Sequence, residues 1–239
     1  MMKTVQGSKV EEWVGCALFI CMFALPFGAF AQKRAVSILG DSYSTYKDFV
    51  LPDTNYVWYP SKKYDEKKGG NDVQNVRQTW WHQFIRQGNF RLCQNNSFSG
   101  ATICNTGYKG EDYSDRSYVT RSRYLSSPDV IIVFGGTNDT WAKSPVGDFK
   151  YAEWSREDLY CFRPAMACLL SSLQDRYPGV EVYVVINDIL SETITESMKT
   201  ICDHYGVRYI LLHDIDKQWG HPSQRGMTQI AEQLAEIIK

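Results

Sequence analysis

The chain has 239 residues, 44% of them apolar and 22% charged, with a formal net charge of -1 at pH 7. That balance is globular and excludes collagen-like, coiled-coil and low-complexity chains. It leaves no electrostatic footprint for nucleic acid or an anionic membrane surface, so neither is expected as a partner.

The first feature in chain order is the apolar run Gly15 to Phe30, GCALFICMFALPFGAF, preceded by Lys3 and Lys9 and closing on Ala29-Phe30-Ala31. A short apolar core ending in Ala-x-Ala reads as a secretory signal cleaved after Ala31. The run is short for a membrane span of ~20 residues, and Pro26 and Gly28 interrupt its end. The expectation is a signal peptide over 1–31 and one domain over 32–239. Export to the periplasm or the cell exterior follows, with no stable membrane insertion once the signal is removed. Five cysteines remain in that domain: Cys93, Cys104, Cys161, Cys168 and Cys202. None has metal-ligand spacing, so no metal or other cofactor is expected. Cys161 and Cys168 read as core thiols, and Cys93 with Cys104 is the one candidate disulfide.

Beyond the signal, β-branched apolar runs alternate with helical patterns. The runs are AVSIL (35–39), DVIIVFGG (129–136), VEVYVVIN (180–187) and VRYILL (207–212), with a weaker fifth at FRLCQNN (90–96). Lacking polar alternation, they suit parallel strands covered on both faces. Between them, helices are predicted over 79–88, 155–179, 193–206 and 223–239, with a kink or a start at Pro164. This alternation predicts an α/β/α sandwich on a mainly parallel five-stranded sheet. Two long irregular stretches, 43–78 and 100–128, are of the kind that carries function.

In such a sheet, ligands bind beyond the carboxyl ends of the strands. The first strand ends in Gly40-Asp41-Ser42, the second leads into NNSFSG with Gly100, and the third ends in GGTND with Asn138. The segment WGHPSQRG, before the last helix, supplies His221. Acyl transfer needs this set: a hydroxyl, a base whose pKa suits neutral pH, and directed donors for an oxyanion. Each element also has a plainer reading. Ser42 is a common helix N-cap residue, Asn138-Asp139 a common turn, and His221 before Pro222 a helix-entry residue. Asp41 reads as a structural partner of the turn.

Taken together, GDSYS, the glycine of NNSFSG, GGTND and GHP resemble the four ordered blocks of the SGNH (GDSL-type) hydrolase superfamily. The resemblance spans roughly 36–234 and is strongest to secreted Bacteroidota-type esterases, in which a Thr79-Trp80-Trp81 helix follows a long aromatic loop. It implies a flavodoxin-like three-layer fold and serine-esterase chemistry. It also implies that Ser42 is nucleophile and oxyanion donor, Gly100 and Asn138 are the further donors, and His221 is the base. One position departs: the family places an acid three residues before the histidine, and here that residue is Gln218. The ring could be oriented by Asp216 if the DKQWGH loop bulges at Gly220, by the Gln218 carbonyl, or by a main-chain carbonyl.

The loop after Ser42 carries Tyr43, Tyr46, Phe49, Tyr56, Trp58, Tyr59 and Tyr64, and Trp141 and Trp219 lie near Asn138 and His221 in sequence. Such aromatics stack on sugar rings or pack the loop; by position, Trp141 and Trp219 are assigned to substrate binding. The expected substrate is a small acyl ester, foremost an acetyl ester on a glycan. The alternatives are a lipolytic acylhydrolase or thioesterase, and a non-catalytic glycan-binding module on the same fold.

Overall fold

In a computed structural model, which describes residues 32–62 and 69–239, the two most apolar runs become strands buried at every position: β1 (Ala35–Gly40) and β3 (Val130–Gly135). They pair in parallel at the centre of the sheet. β2 (Arg91–Asn95) lies on the other side of β1, and β4 (Glu181–Ile186) and β5 (Arg208–Leu211) extend the sheet beyond β3. The order is β2-β1-β3-β4-β5, and every pairing is parallel. The chain moves outward from β1 to β2 and then crosses back to β3. The topological switch point, where a crevice opens at the carboxyl ends, therefore lies between β1 and β3.

Alternate side chains of the strands serve two cores. Val36, Ile38, Ile132 and Val185 pack with helices α1 (Trp80–Gln87) and α6 (Gln224–Ile237) on one face. Leu39, Ile131, Val133 and Val184 pack with α4 (Phe162–Arg176) and α5 (Glu192–Tyr205) on the other. Helix starts follow local chemistry: the side chains of Thr79, Ser191 and Ser223 each accept the backbone N–H of the third helical residue. Pro164 falls in the first turn of α4, where its missing N–H costs nothing, so it marks a start rather than a kink. Two short helices, α2 (Tyr118–Arg121) and α3 (Thr137–Ala142), and a small hairpin of β6 (Lys217–Gln218) and β7 (His221–Pro222) complete the frame around the site.

The assigned signal (1–31) and Tyr64 lie outside the described residues. Among the described residues, no helix is long and apolar enough to cross a membrane. The suggested Cys93–Cys104 pair does not form; all five cysteines are free thiols. The loop after β2 carries Cys104 away to α3, where its N–H donates to Asp139, while Cys93 stays on the edge strand.

Candidate active site

No helix begins at Ser42. The residue sits on a tight turn after β1, in which Asp41 accepts the Tyr43 N–H on its side chain (3.0 Å) and the Ser44 N–H on its backbone carbonyl (3.0 Å). This is an Asx-type turn, which is why an aspartate precedes the serine. The turn points the Ser42 hydroxyl at His221, whose Nε2 lies 2.9 Å away. Both residues are buried, at 3% and 7% exposure, so the pair works largely away from bulk water.

Gly100 lies in the loop whose Phe98 N–H donates to the Gly40 carbonyl (3.1 Å), and Asn138 lies in the first turn of α3 just beyond β3, the strand beside β1. Gly100 has φ +85, and a Cβ there would meet nothing within 4 Å; backbone conformation, not crowding, calls for glycine. Neither the Ser42 nor the Gly100 N–H donates to any group among the described residues. Asn138 is held at both ends of its carboxamide: Oδ1 accepts from the Tyr108 hydroxyl (2.8 Å), and one Nδ2 hydrogen goes to the Ala101 carbonyl (3.0 Å). The second Nδ2 hydrogen has no partner there. Among the described residues, three N–H groups on the turn of the buried serine and the two segments after β2 and β3 are thus unengaged, the kind of donor a developing oxyanion requires.

The orientation of His221 departs from the Asp216 expectation. Nδ1 lies 3.0 Å from the Trp219 carbonyl, whereas the Asp216 carboxylate accepts from the Ser223 hydroxyl at the start of α6. Gln218 is not on the ring either; its Oε1 accepts the Asp72 N–H at 2.9 Å. The cause is the tightness of the β6–β7 hairpin. Trp219 (φ 53) and Gly220 (φ 71) form a two-residue turn with both backbones left-handed, and this brings the Trp219 carbonyl under its own histidine. A bulky residue with positive φ is a strained choice. The loop is secured from outside: the Tyr43 hydroxyl donates to the Gly220 carbonyl (2.6 Å), the Tyr59 hydroxyl to the Pro222 carbonyl (2.8 Å), and Asn71 Nδ2 to the Pro222 carbonyl (3.1 Å).

Aromatic rings enclose His221. The Trp58 indole stacks on the imidazole at 3.7 Å between centroids and 8° between planes. Trp141 approaches edge-on at 6.0 Å and remains 39% exposed. The indole of Trp219 lies against Gly69, where a Cβ would be only 2.2 Å from the ring, so it packs the rim with half of its surface in solvent. Burial pushes the His221 pKa down to about 4, only partly opposed by the Trp219 carbonyl. The ring is neutral at pH 7 and able to accept a proton. His82, His204 and His213 take no part: His204 stacks on Tyr151, and His213 pairs with the exposed Asp214.

Beneath the strand ends lies a buried charged group that the sequence did not announce. Arg121 donates to the Gly40 carbonyl (3.1 Å), the Arg116 carbonyl (2.7 Å) and the Asn96 carbonyl, tying the ends of β1 and β2 together. Asp139 accepts the N–H groups of Ile103 (2.8 Å) and Cys104 (3.3 Å), tying the Gly100 loop to α3. Burial raises the Asp41 pKa to about 7, against the pull of the Tyr43 N–H and Arg121, and raises that of Asp139 to about 6. Tyr108 and Arg121 were hidden in the irregular stretch 100–128. Its length was the only signal pointing to them.

The fold, with a buried serine and histidine in contact at the switch point, defines a serine hydrolase acting on ester bonds. The family model for GDSL-like Lipase/Acylhydrolase matches residues 34–238, and the chain belongs to that family. It is similar to the crystal structure of a GDSL-like lipase from Bacteroides ovatus, with 56% identity over 87% of this chain and 98% of that one, at a TM-score of 0.82. A second, from Bacteroides uniformis, shares 51% identity over 87% and 97% of the two chains, at a TM-score of 0.83. An acetyl xylan esterase from the rumen bacterium Butyrivibrio proteoclasticus shares the fold at 16% identity, over 86% and 63% of the two chains, with a TM-score of 0.55. No curated protein matches the chain.

Proposed function

We propose that the protein hydrolyses small acyl esters, foremost acetyl esters on carbohydrate, through an acyl-enzyme on Ser42. The observation that carries this reading is the 2.9 Å contact between Ser42 Oγ and a neutral His221, set beside three unengaged N–H donors. Ser42 Oγ bonds to the ester carbonyl carbon as its proton passes to His221 Nε2. The carbonyl oxygen becomes an oxyanion and accepts from the N–H groups of Ser42 and Gly100 and from Asn138 Nδ2. Collapse breaks the bond to the alcohol, which leaves with the Nε2 proton. A water molecule then gives a proton to Nε2 as its oxygen attacks the acyl carbon; the bond to Ser42 Oγ breaks, Ser42 takes the Nε2 proton, and the carboxylic acid departs and ionises in solvent. The Trp219 carbonyl keeps Nδ1 protonated and Nε2 free to act as base, so the machinery is a dyad with a main-chain support.

A carbohydrate ester is supported by the exposed aromatic surface at the site. Trp141 and Trp219 flank His221, and Tyr56, 69% exposed, accepts the Ser99 N–H on its own carbonyl (2.8 Å), beside Gly100. The acetyl xylan esterase and a family two carbohydrate esterase from Clostridium thermocellum solved with cellohexaose have the same fold, which makes sugar esters the first substrates to try. Export is part of the proposal, resting on the apolar run and the Ala29-Phe30-Ala31 site. Sequencing the amino terminus of the protein recovered from the producing cells tests it, with Gln32 as the expected first residue.

The deciding experiment is fluorophosphonate labelling together with hydrolysis of acetyl, butyryl and longer model esters and of acetylated oligosaccharides. Wild type is expected to label and to prefer acetyl. Ser42→Ala abolishes labelling, and His221→Ala lowers kcat by about 10³-fold or more. An unlabelled, inactive wild type overturns the reading, and a preference for long acyl chains replaces acetyl with lipid esters.

A further inference from the structure

Proton transfer from Ser42 turns His221 into an imidazolium in a site where, among the described residues, no carboxylate meets the ring. Asp216 is committed to Ser223, Asp188 to Lys217 and the Ile215 N–H, and Asp214 to His213. Among the described residues, the groups facing the imidazole are Ser42 Oγ, the Trp219 carbonyl, and the rings of Trp58, Tyr43, Tyr59 and Trp141. Burial holds both tyrosines protonated, so none of these groups is charged. One carbonyl dipole is a weak substitute for a carboxylate, yet the new cation has left water behind.

We propose that Trp58 is a positioning residue whose indole face stabilises the His221 imidazolium, taking over electrostatic work that a triad acid would do. This rests on the esterase reading above. The geometry is that of a cation seated on a π face: nearly parallel planes, centroids 3.7 Å apart, on the aromatic ring with the strongest attraction for a cation. The same stack fixes the tilt of the imidazole, with Nε2 toward Ser42 and Nδ1 toward Trp219. The indole is registered to the nucleophile through the backbone. The Trp58 N–H donates to Thr45 Oγ1 (2.8 Å), and the Thr45 hydroxyl donates to the Ser42 carbonyl (3.1 Å). Among the described residues, Trp58 Nε1 is buried without a partner.

The test places fluorinated tryptophans, with one to four ring fluorines, at position 58 alone; these keep the shape of the indole and drain its π face. Two readouts are followed: kcat on an acetyl ester, and the His221 pKa by NMR. Both are expected to fall stepwise with each fluorine, reaching about 10-fold in kcat for the most fluorinated ring, with KM and melting temperature unchanged. Trp58→Phe should lie between wild type and Trp58→Leu in kcat. A flat fluorine series in both readouts overturns the proposal, because a purely steric role would not register fluorine. The pKa readout does not need turnover. An inactive wild type whose His221 pKa still follows fluorination removes the esterase reading and leaves the stack standing.

Discussion

At the scale of the residue, the imidazole of His221 meets a main-chain carbonyl and, among the described residues, no acid. Its pKa sits near about 4 because burial disfavours the charged ring and the Trp219 carbonyl only partly opposes this. In the proposed mechanism the neutral form is the base, so activity is expected above that pKa and is lost as pH falls through it. The acid limb of kcat/KM, which reports the free enzyme, should be centred near about 4, well below the ~6.5 of an unperturbed histidine. Asp216→Asn should leave both limb and kcat in place, since the carboxylate accepts from Ser223 and not from the ring. A ~10⁴-fold loss in that variant would restore Asp216 as a triad acid. The departure at Gln218 was visible in the sequence, but its resolution was not. Nothing in a residue string reports that Trp219 adopts φ 53 and turns its own carbonyl onto the ring two positions on.

At the scale of the element, each block of the site lies where its strand delivers it, which is why so much was legible beforehand. Unbroken apolar runs with β-branched residues marked β1, β3 and β4, and the polar residues following β1 and β3 became Ser42 and Asn138. The short elements escaped, because a helix of four or six residues has too little periodicity to register. Among these, α3 matters most. Asp139 in its first turns accepts the N–H groups of Ile103 and Cys104, so it sets the Gly100 donor against the Asn138 donor one residue before it. Asp139→Ala leaves two buried N–H groups unpaired, at a cost of about 2–4 kcal/mol. Urea denaturation should show that loss, and kcat should fall by about 10-fold or more as the oxyanion donors lose register. Asp139→Asn keeps one acceptor and should lose less in both. An alanine variant with wild-type turnover would mean that the Gly100 loop holds itself.

At the scale of the whole molecule, the site gathers charge where the sheet's two cores meet. Asp41, Arg121 and Asp139 are each 5% exposed or less, at the carboxyl ends of strands that must also stay dry for the chemistry. Their spacing in sequence, across 41, 121 and 139, gave no hint of this; only the crossing of the chain at the switch point brings them together. The arrangement makes overall stability depend on pH in an unusual direction. Burial raises the folded pKa of Asp41 to about 7 and that of Asp139 to about 6, from 3.8 in the open chain. Folded protein therefore binds these protons more tightly than unfolded protein, and linkage requires stability to fall as pH rises. Their contribution is complete below pH 3.8 and drains away up to about pH 7. For Asp41 alone the shift corresponds to on the order of 4 kcal/mol across that window. Melting temperature should thus decline from pH 5 to pH 8 in the wild type. Asp41→Asn, which keeps an acceptor for the Tyr43 N–H and carries no charge, should flatten that decline by several degrees. Parallel curves for the two proteins would mean that Asp41 stays ionised throughout, with Arg121 neutralising it at a distance.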